Sequence, residues 1–219
     1  MCGVTRLEDA MAGIQAGVDA LGFIFYDKSP RNIDPDSALE ILNQVPPFIS
    51  SVGIFVDKEM SEVEDIVRYC RLSHVQLHGQ ESPEYCERLA RLASPSRIIK
   101  AFRVDDSLSK EDVAPYEPFV QAFLFDTFQH GVVGGTGQTF DWSKIGKLEL
   151  RKPYILAGGL KPEIVAQALE GDKPFALDVN SGVEVEPGIK DPDLIREFMQ
   201  AVYLAMTKAP GKRSADSCC

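Results

Sequence analysis

Two residues near predicted strand ends could carry acid–base chemistry. Cys2 precedes a predicted helix, whose N-terminus would lower the pKa of the thiol and favour a reactive thiolate; the alternative is a small buried apolar side chain. Asp126 ends a strongly apolar run, so its carboxyl group requires either a partner or the raised pKa that suits a general acid near neutral pH. The alternative for Asp126 is a turn aspartate that caps a helix.

Three further polar residues follow apolar runs and could contact a ligand. Arg31 presents a planar guanidinium that can pair with a carboxylate through two hydrogen bonds, although most loop arginines are solvated. His78 is either a ligand contact or a hydrogen-bonded structural histidine, and Asp178 lies near the end of the last apolar run. These residues widen the candidate site from proton transfer to recognition of a charged substrate.

Two glycine-containing turns could bind a phosphate group. Gly158 and Gly159 follow one predicted strand, and Ser181 and Gly182 follow the next. Glycine lets backbone N–H groups approach a phosphate closely, and phosphate sites are common after the last two strands of α/β barrels. Tight strand-to-helix turns are the alternative. A third glycine-rich segment, residues 134–137, is interpreted as a flexible loop that could cover a substrate.

The elements that must position these residues repeat along the chain. Seven short runs rich in apolar and β-branched residues recur about every 26 residues, the length of a βα unit. The runs are continuous rather than alternating, as expected for parallel strands covered on both faces. We therefore predict a (β/α)8 TIM barrel with its active site at the strand C-termini. The runs are residues 20–25, 52–56, 74–77, 98–102, 120–125, 154–157 and 175–179.

The segments between the runs contain helix start signals. Thr5 and Ser61 are each followed three residues later by glutamate, as in a capping box. Asp34, Ser82 and Asp191 each precede a proline, which suits the first position of a helix. Residues 193–206 have apolar side chains at helical spacing. No shift in composition marks a boundary, so residues 1–207 are predicted to form one domain, followed by a disordered tail at 208–219.

The eighth strand of the predicted barrel falls at the N-terminus. Residues 2–5 have the character of a turn after a first strand, yet only Met1 precedes them. The first strand is therefore predicted to be truncated. An open gap between the first and last of the seven runs is the expected consequence.

Composition restricts the class of protein and its partners. The 219 residues are 44% hydrophobic and 26% charged, and 33 acidic against 23 basic residues give a net charge of −10. Such a surface disfavours nucleic acids and anionic membranes but allows one anionic small ligand at a local cluster of donors. No run reaches the roughly 18 apolar residues of a membrane span. With no visible export signal and five cysteines without a framework spacing, a cytoplasmic location is expected.

Taken together, these segments resemble the phosphoribosylanthranilate isomerase family of tryptophan biosynthesis. The resemblance extends from Cys2 to about Met206, and the combination is specific although each piece is not. The segments that carry it are residues 2–5, 20–25, 29–31, 52–56, 75–79, 134–137, 140–142, 156–160 and 178–184.

The resemblance implies an activity and a role for each candidate residue. It implies an Amadori rearrangement of N-(5′-phosphoribosyl)anthranilate to 1-(2-carboxyphenylamino)-1-deoxyribulose 5-phosphate, without metal or organic cofactor. Cys2 matches the family's base and Asp126 its acid. Arg31 matches the residue that faces the anthranilate carboxylate, and His78 and Asp178 line the same opening. The phosphate group is expected at Gly158, Gly159, Ser181 and Gly182.

Two alternatives remain at this stage. A histidine-pathway aminoaldose isomerase has the same barrel, but that family has an aspartate where Cys2 stands and a visible half-barrel repeat. A non-catalytic remnant that keeps the phosphate site would agree with the shortened first strand. A monomer or a homodimer is expected, with a small phosphosugar substrate and no nucleic-acid or membrane partner.

Overall fold

The computed structural model describes residues 1–126, 142–170 and 173–208. Its main sheet has seven parallel strands that pair in chain order, each with the next. The prediction of repeated βα units is therefore confirmed. The strands are β1 (Ala20–Ile24), β2 (Ser50–Phe55), β3 (His74–Leu77), β4 (Arg97–Arg103), β5 (Ala122–Asp126), β6 (Tyr154–Ala157) and β7 (Ala176–Leu177).

Helices follow the strands and cover the outside of the sheet. The described α-helices are α1 (Leu7–Ala16), α2 (Pro35–Leu42), α3 (Met60–Cys70), α4 (Pro83–Leu92), α5 (Lys110–Val113), α6 (Ser143–Gly146), α7 (Val165–Ala168) and α8 (Pro192–Lys208). Short 3₁₀ helices span Ala114–Tyr116, Pro162–Ile164 and Ser181–Val183, and a small antiparallel pair joins β8 (Glu184–Glu186) to β9 (Ile189–Lys190). Within the described ranges, no helix combines the length and apolar character needed to cross a membrane.

The helix starts agree with the sequence at three positions and differ at two. The side chains of Asp34 and Ser82 accept hydrogen bonds from the backbone N–H groups of the first turn, and Asp191 does the same before α8. The two capping-box predictions are wrong. The Thr5 hydroxyl instead donates to the carbonyl of Gly188 at 2.5 Å, and α3 begins one residue before Ser61.

Residues 1–4 occupy the gap that was expected between β1 and β7. The Gly22 N–H donates to the carbonyl of Met1 at 2.9 Å, and the Cys2 N–H donates to the carbonyl of Val179 at 2.8 Å. The amino group of Met1 also donates to the carbonyl of Ala20 at 3.0 Å. A short segment therefore bridges the two outer strands. The prediction of an open gap is therefore wrong where these hydrogen bonds form. The segment is nevertheless too short to count as an eighth strand of the sheet.

The strand side chains divide between two apolar layers. The side chains of Phe23, Phe55, Phe123 and Phe125 are buried between the sheet and the helices. Their neighbours point into the barrel, where separate clusters form around Leu124 and around Cys2. This double burial explains why the sequence shows continuous apolar runs instead of alternation.

Two predicted segments lie outside the described residues. They are the glycine-rich loop at 134–137 and all but the first residue of the predicted tail at 208–219. Both remain predictions.

Candidate active site

Cys2 lies inside the barrel. Its side chain is buried against Ile24 and Ile54. Burial, reinforced by the negative charge of Asp178, raises the pKa of the Cys2 thiol to about 12. The thiol is therefore neutral at pH 7. The predicted lowering of this pKa by a helix N-terminus is wrong, since α1 begins only at Leu7 and burial dominates.

Two glycines allow the backbone of Cys2 to fit between its neighbours. Gly3 has φ +70°, and a Cβ atom there would lie 2.7 Å from Asn180 Oδ1 and 2.8 Å from Arg31 Cδ. On the β1 side, a Cβ at Gly22 would lie 3.2 Å from the sulfur of Cys2. A larger residue at Gly3 would press on Asn180 and Arg31, and one at Gly22 would press on Cys2 itself.

Asp126 ends β5 and faces His78. Its Oδ2 lies 3.5 Å from Nε2 of His78. The buried amide of Gln76 contacts Nδ1 of His78 at 3.0 Å. When that amide donates, Nδ1 is the acceptor and the proton of the neutral ring is on Nε2, directed at Asp126. The sequence analysis did not select Gln76. Its position two residues before His78, which places both side chains on the same face of the strand, is what could have indicated it.

Asp178 interacts electrostatically both with Cys2 and with the pair formed by His78 and Asp126. Burial raises the pKa of its carboxyl group, and the amino terminus, Lys190 and His78 oppose that rise. The carboxylate of Asp126 adds to the rise. Because Asp178 also acts on the Cys2 thiol, the structure brings Cys2, Asp126, His78 and Asp178 into one electrostatic unit.

Arg31 is held by an acidic partner that the sequence analysis did not predict. Its Nε and Nη2 atoms lie 2.9 and 2.6 Å from the two carboxylate oxygens of Glu184. Lys190 Nζ donates to Glu184 at 2.8 Å and to Asn180 Oδ1 at 2.9 Å. Although burial acts in the opposite direction, these hydrogen bonds hold the pKa of Glu184 below its usual range. Glu184 therefore orients the guanidinium beside Cys2, and among the described residues Nη1 has no hydrogen-bond partner.

The two glycine turns lie in direct contact. Gly158 and Gly159 follow β6 with φ of +91° and +65°. A Cβ atom on Gly182 would overlap the carbonyl oxygen of Leu160, so the turn after β7 packs on the turn after β6. Within the described part of the chain, the backbone N–H groups of Gly159, Ser181 and Gly182 form no backbone hydrogen bond. These N–H groups are therefore available to an anion.

Replacing Gly182 with alanine is expected to raise KM for a phosphorylated substrate by about 10- to 100-fold, with a smaller change in kcat. The added methyl group must push the two turns apart, and each lost charge-assisted hydrogen bond costs about 1.5–3 kcal/mol. Steady-state kinetics and the inhibition constant of inorganic phosphate measure the effect.

Gly159→Ala is the matched control, because nothing lies within 4 Å of a Cβ at Gly159. It strains the backbone at φ +65° without forcing the turns apart, so its KM should change less. An unchanged KM and phosphate inhibition constant in Gly182→Ala would exclude these turns as the phosphate site.

The arrangement suits acid–base chemistry on a substrate with a phosphate and a carboxylate. It offers an aspartate at a strand end, a buried thiol, an oriented guanidinium and the backbone N–H groups of Gly159, Ser181 and Gly182, which make no backbone hydrogen bond to the described residues. In the described residues, no group of three or more His, Cys, Asp or Glu side chains is arranged to hold a metal ion.

Comparison with known proteins points to one family. Residues 1–201 match the family described as N-(5′-phosphoribosyl)anthranilate (PRA) isomerase. A protein of that name from Geotalea uraniireducens is 48% identical over 200 residues, covering 91% of this chain and 95% of the relative.

Solved structures give the same result. The phosphoribosyl anthranilate isomerase of Thermotoga maritima is 41% identical with a TM-score of 0.84, covering 93% of this chain and 97% of that one. An isomerase of the same name in complex with reduced 1-(o-carboxyphenylamino)-1-deoxyribulose 5-phosphate is 40% identical, with a TM-score of 0.81 and coverage of 92% and 96%. Family match, sequence identity and fold agree over nine-tenths of the chain, and the chain belongs to the phosphoribosylanthranilate isomerase family.

Proposed function

We propose that the chain converts N-(5′-phosphoribosyl)anthranilate to 1-(2-carboxyphenylamino)-1-deoxyribulose 5-phosphate. The observation that carries the proposal is the convergence of Cys2, Asp126 and the two glycine turns at one end of the barrel, in a chain of this family. Support for the ligand comes from the related structure that holds the reduced product analogue.

Asp126 is the proposed acid. Proton transfer from its carboxyl group to the ring oxygen of the ribose breaks the bond between that oxygen and C1′, while the nitrogen lone pair forms a protonated Schiff base. His78 contacts the same carboxyl group and orients it. Because the ring oxygen leaves as a hydroxyl group, the acid has to be protonated at the start of each turnover.

Cys2 is the proposed base. Removal of the C2′ proton from the Schiff base gives an enolamine, which tautomerises to the ketone. The resting thiol has a raised pKa of about 12, so it must first become a thiolate. The positive charge of the Schiff base favours the thiolate when it forms beside Cys2. The thiol proton passes to the carboxylate that Asp126 becomes on ring opening, which restores the acid, so deprotonation of Cys2 is coupled to ring opening.

Arg31 and the glycine turns are proposed to bind the two ends of the substrate. The guanidinium is oriented by Glu184 and keeps Nη1 for the anthranilate carboxylate. Gly158, Gly159, Ser181 and Gly182 are proposed to bind the phosphate through backbone N–H groups. His78 and Asp178 are proposed to line the ribose between them.

The direct test is an assay of the purified chain with N-(5′-phosphoribosyl)anthranilate. ¹³C NMR should show loss of the anomeric carbon signal and appearance of a ketone carbon. Turnover only of the histidine-pathway aminoaldose would favour the alternative isomerase. Binding of the product analogue without turnover would identify a non-catalytic remnant.

Arg31→Lys is expected to lower kcat/KM for the carboxylated substrate by about tenfold or more. Lysine keeps the positive charge but loses the planar fork that matches both Glu184 and a substrate carboxylate. Steady-state kinetics check the value. Arg97→Lys is the control, because Arg97 lies at the opposite end of β4, where its guanidinium donates to the exposed side chain of Gln121. An unchanged kcat/KM in Arg31→Lys would mean that another group holds the carboxylate.

Further properties are proposed on the same basis. We expect residues 1–207 to act as one domain, a cytoplasmic location, and a monomer or homodimer. Sedimentation of the purified chain distinguishes the two oligomeric states.

A further inference from the structure

A buried ion pair lies beneath the turn that carries His78. Lys100 is on β4, and Glu81 is in the loop between β3 and α4. Lys100 Nζ lies 3.1 Å from Glu81 Oε2, and each side chain is only 2% exposed. The pair is not part of the acid–base unit described above.

Both members of the pair bind the backbone of Gly79. Lys100 Nζ donates to the carbonyl of Gly79 at 2.8 Å, and Glu81 accepts from the Gly79 N–H at 3.0 Å. Lys100 also donates to the carbonyl of Leu77 at 3.3 Å. Because Leu77 and Gly79 flank His78, the pair fixes the main chain on both sides of that residue.

The same pair connects this turn with the preceding strand. Glu81 Oε1 accepts from the N–H of Asp57 at 2.9 Å, and Asp57 Oδ1 accepts from the N–H of Gln80 at 2.5 Å. A Cβ at Gly79 would overlap the carboxylate of Asp57. The turn therefore has no room to shift while these hydrogen bonds are intact.

The cost of burying two charges indicates a role beyond stability. An apolar pair of similar volume is often as stable as a buried ion pair or more so. Here the hydrogen bonds of both side chains converge on the turn around His78, and His78 faces Asp126 at 3.5 Å. Catalytic groups displaced by about 1 Å lose up to about 10²-fold in rate.

We propose that Lys100 and Glu81 are positioning residues that hold His78 against Asp126. This inference rests on the proposed function, because it assigns the pair to the proton transfer made by Asp126. The pair does not touch the substrate. It acts on kcat through His78 and leaves substrate binding nearly unchanged.

The test is the double variant Lys100→Met/Glu81→Gln, which removes both charges and leaves neither unpaired. We expect kcat to fall between about 10- and 100-fold, with KM within about threefold and a parent-like melting temperature. The matched control is Lys110→Met/Glu149→Gln at an exposed ion pair, which should keep the parent's kcat. If the buried double variant does not fold, Glu81→Asp, which keeps the charge of the pair but shortens the side chain that accepts from the Gly79 N–H, is assayed against the same criteria.

A second comparison distinguishes the positioning of His78 from a nonspecific effect of the substitutions on the structure of the site. His78→Ala should itself lower kcat, and adding the double substitution to it should cost less than about twofold more. A folded double variant with the parent's kcat would overturn the proposal. The proposal would also be overturned if the double substitution lowered kcat as much in the His78→Ala background as in the parent. A His78→Ala variant with the parent's kcat would overturn it as well.

The proposal can also be judged without turnover. The chain has three histidines, so the ring proton signal of His78 can be assigned by its absence in His78→Ala. In the double variant this signal should shift or broaden, and an unchanged signal would overturn the positioning role. If the parent does not isomerise the substrate, the proposed function fails while this readout still decides the positioning role.

Discussion

Replacing Asp126 with asparagine is expected to lower kcat by about 10²- to 10⁴-fold, because the amide cannot donate a proton to the ribose ring oxygen. Asparagine has the same shape and can still contact His78, so the strand end should keep its geometry. Binding of the reduced product analogue should change far less than kcat. Steady-state kinetics and titration with the analogue measure the two effects separately.

The control for this variant is Asp105→Asn. Asp105 is exposed in the loop after β4, where its carboxylate accepts hydrogen bonds from Ser107. That variant should keep the parent's kcat. A kcat near normal in Asp126→Asn would show that another group supplies the proton.

Cys2→Ser should reduce kcat by at least about 10²-fold. A serine hydroxyl forms its anion far less readily than a thiol, so the proton at C2′ loses its acceptor. The side chain is nearly the same size, and the barrel interior around Ile24 and Ile54 should accept it. Cys70→Ser is the control, since Cys70 is also buried and already donates to the carbonyl of Pro35.

The pH dependence gives a second measure of the same group. Because the pKa of Cys2 is raised to about 12, the thiolate fraction of the free enzyme grows about tenfold per pH unit through the neutral range. Since the parent also needs a protonated Asp126, the profile is measured in Asp126→Asn, where that acid is absent, and the residual kcat/KM should rise with pH from 6 to 9. Adding Asp178→Asn removes a negative charge and should move this rise to lower pH. A flat profile in Asp126→Asn, or full activity in Cys2→Ser, would exclude Cys2 as the base.

Much of the fold could be predicted because strand signals are local. A strand covered on both faces needs a continuous apolar run, and each of the seven runs overlaps one observed strand. The observed strand boundaries differ from the predicted ones at the ends of the runs. At β7, for example, Phe175 is 80% exposed and lies outside the strand. The cap predicted at Thr5 failed because its hydroxyl donates to the carbonyl of Gly188, and the cap predicted at Ser61 failed because α3 begins one residue before it.

The sequence places the candidate site residues at predicted strand ends but does not show which side chains pair with one another. The positions of Cys2, Asp126 and Arg31 follow from strand ends that the sequence shows. The partner of Arg31 is Glu184, far away along the chain, and no local pattern pairs them. The protonation state of Cys2 depends on burial inside the barrel and on Asp178, which only the folded arrangement determines.

The hydrogen bond from Cys2 to Val179 has a consequence for how the enzyme is made. During synthesis the first residues leave the ribosome long before Val179 does. Until Val179 follows, the Cys2 N–H cannot form its hydrogen bond to the carbonyl of Val179. Contacts between distant parts of a chain also form slowly, because a long loop must close first. Barrel closure and assembly of the proposed base are therefore one late event, and a chain stays inactive until the segment that contains β7 and Val179 has joined the sheet.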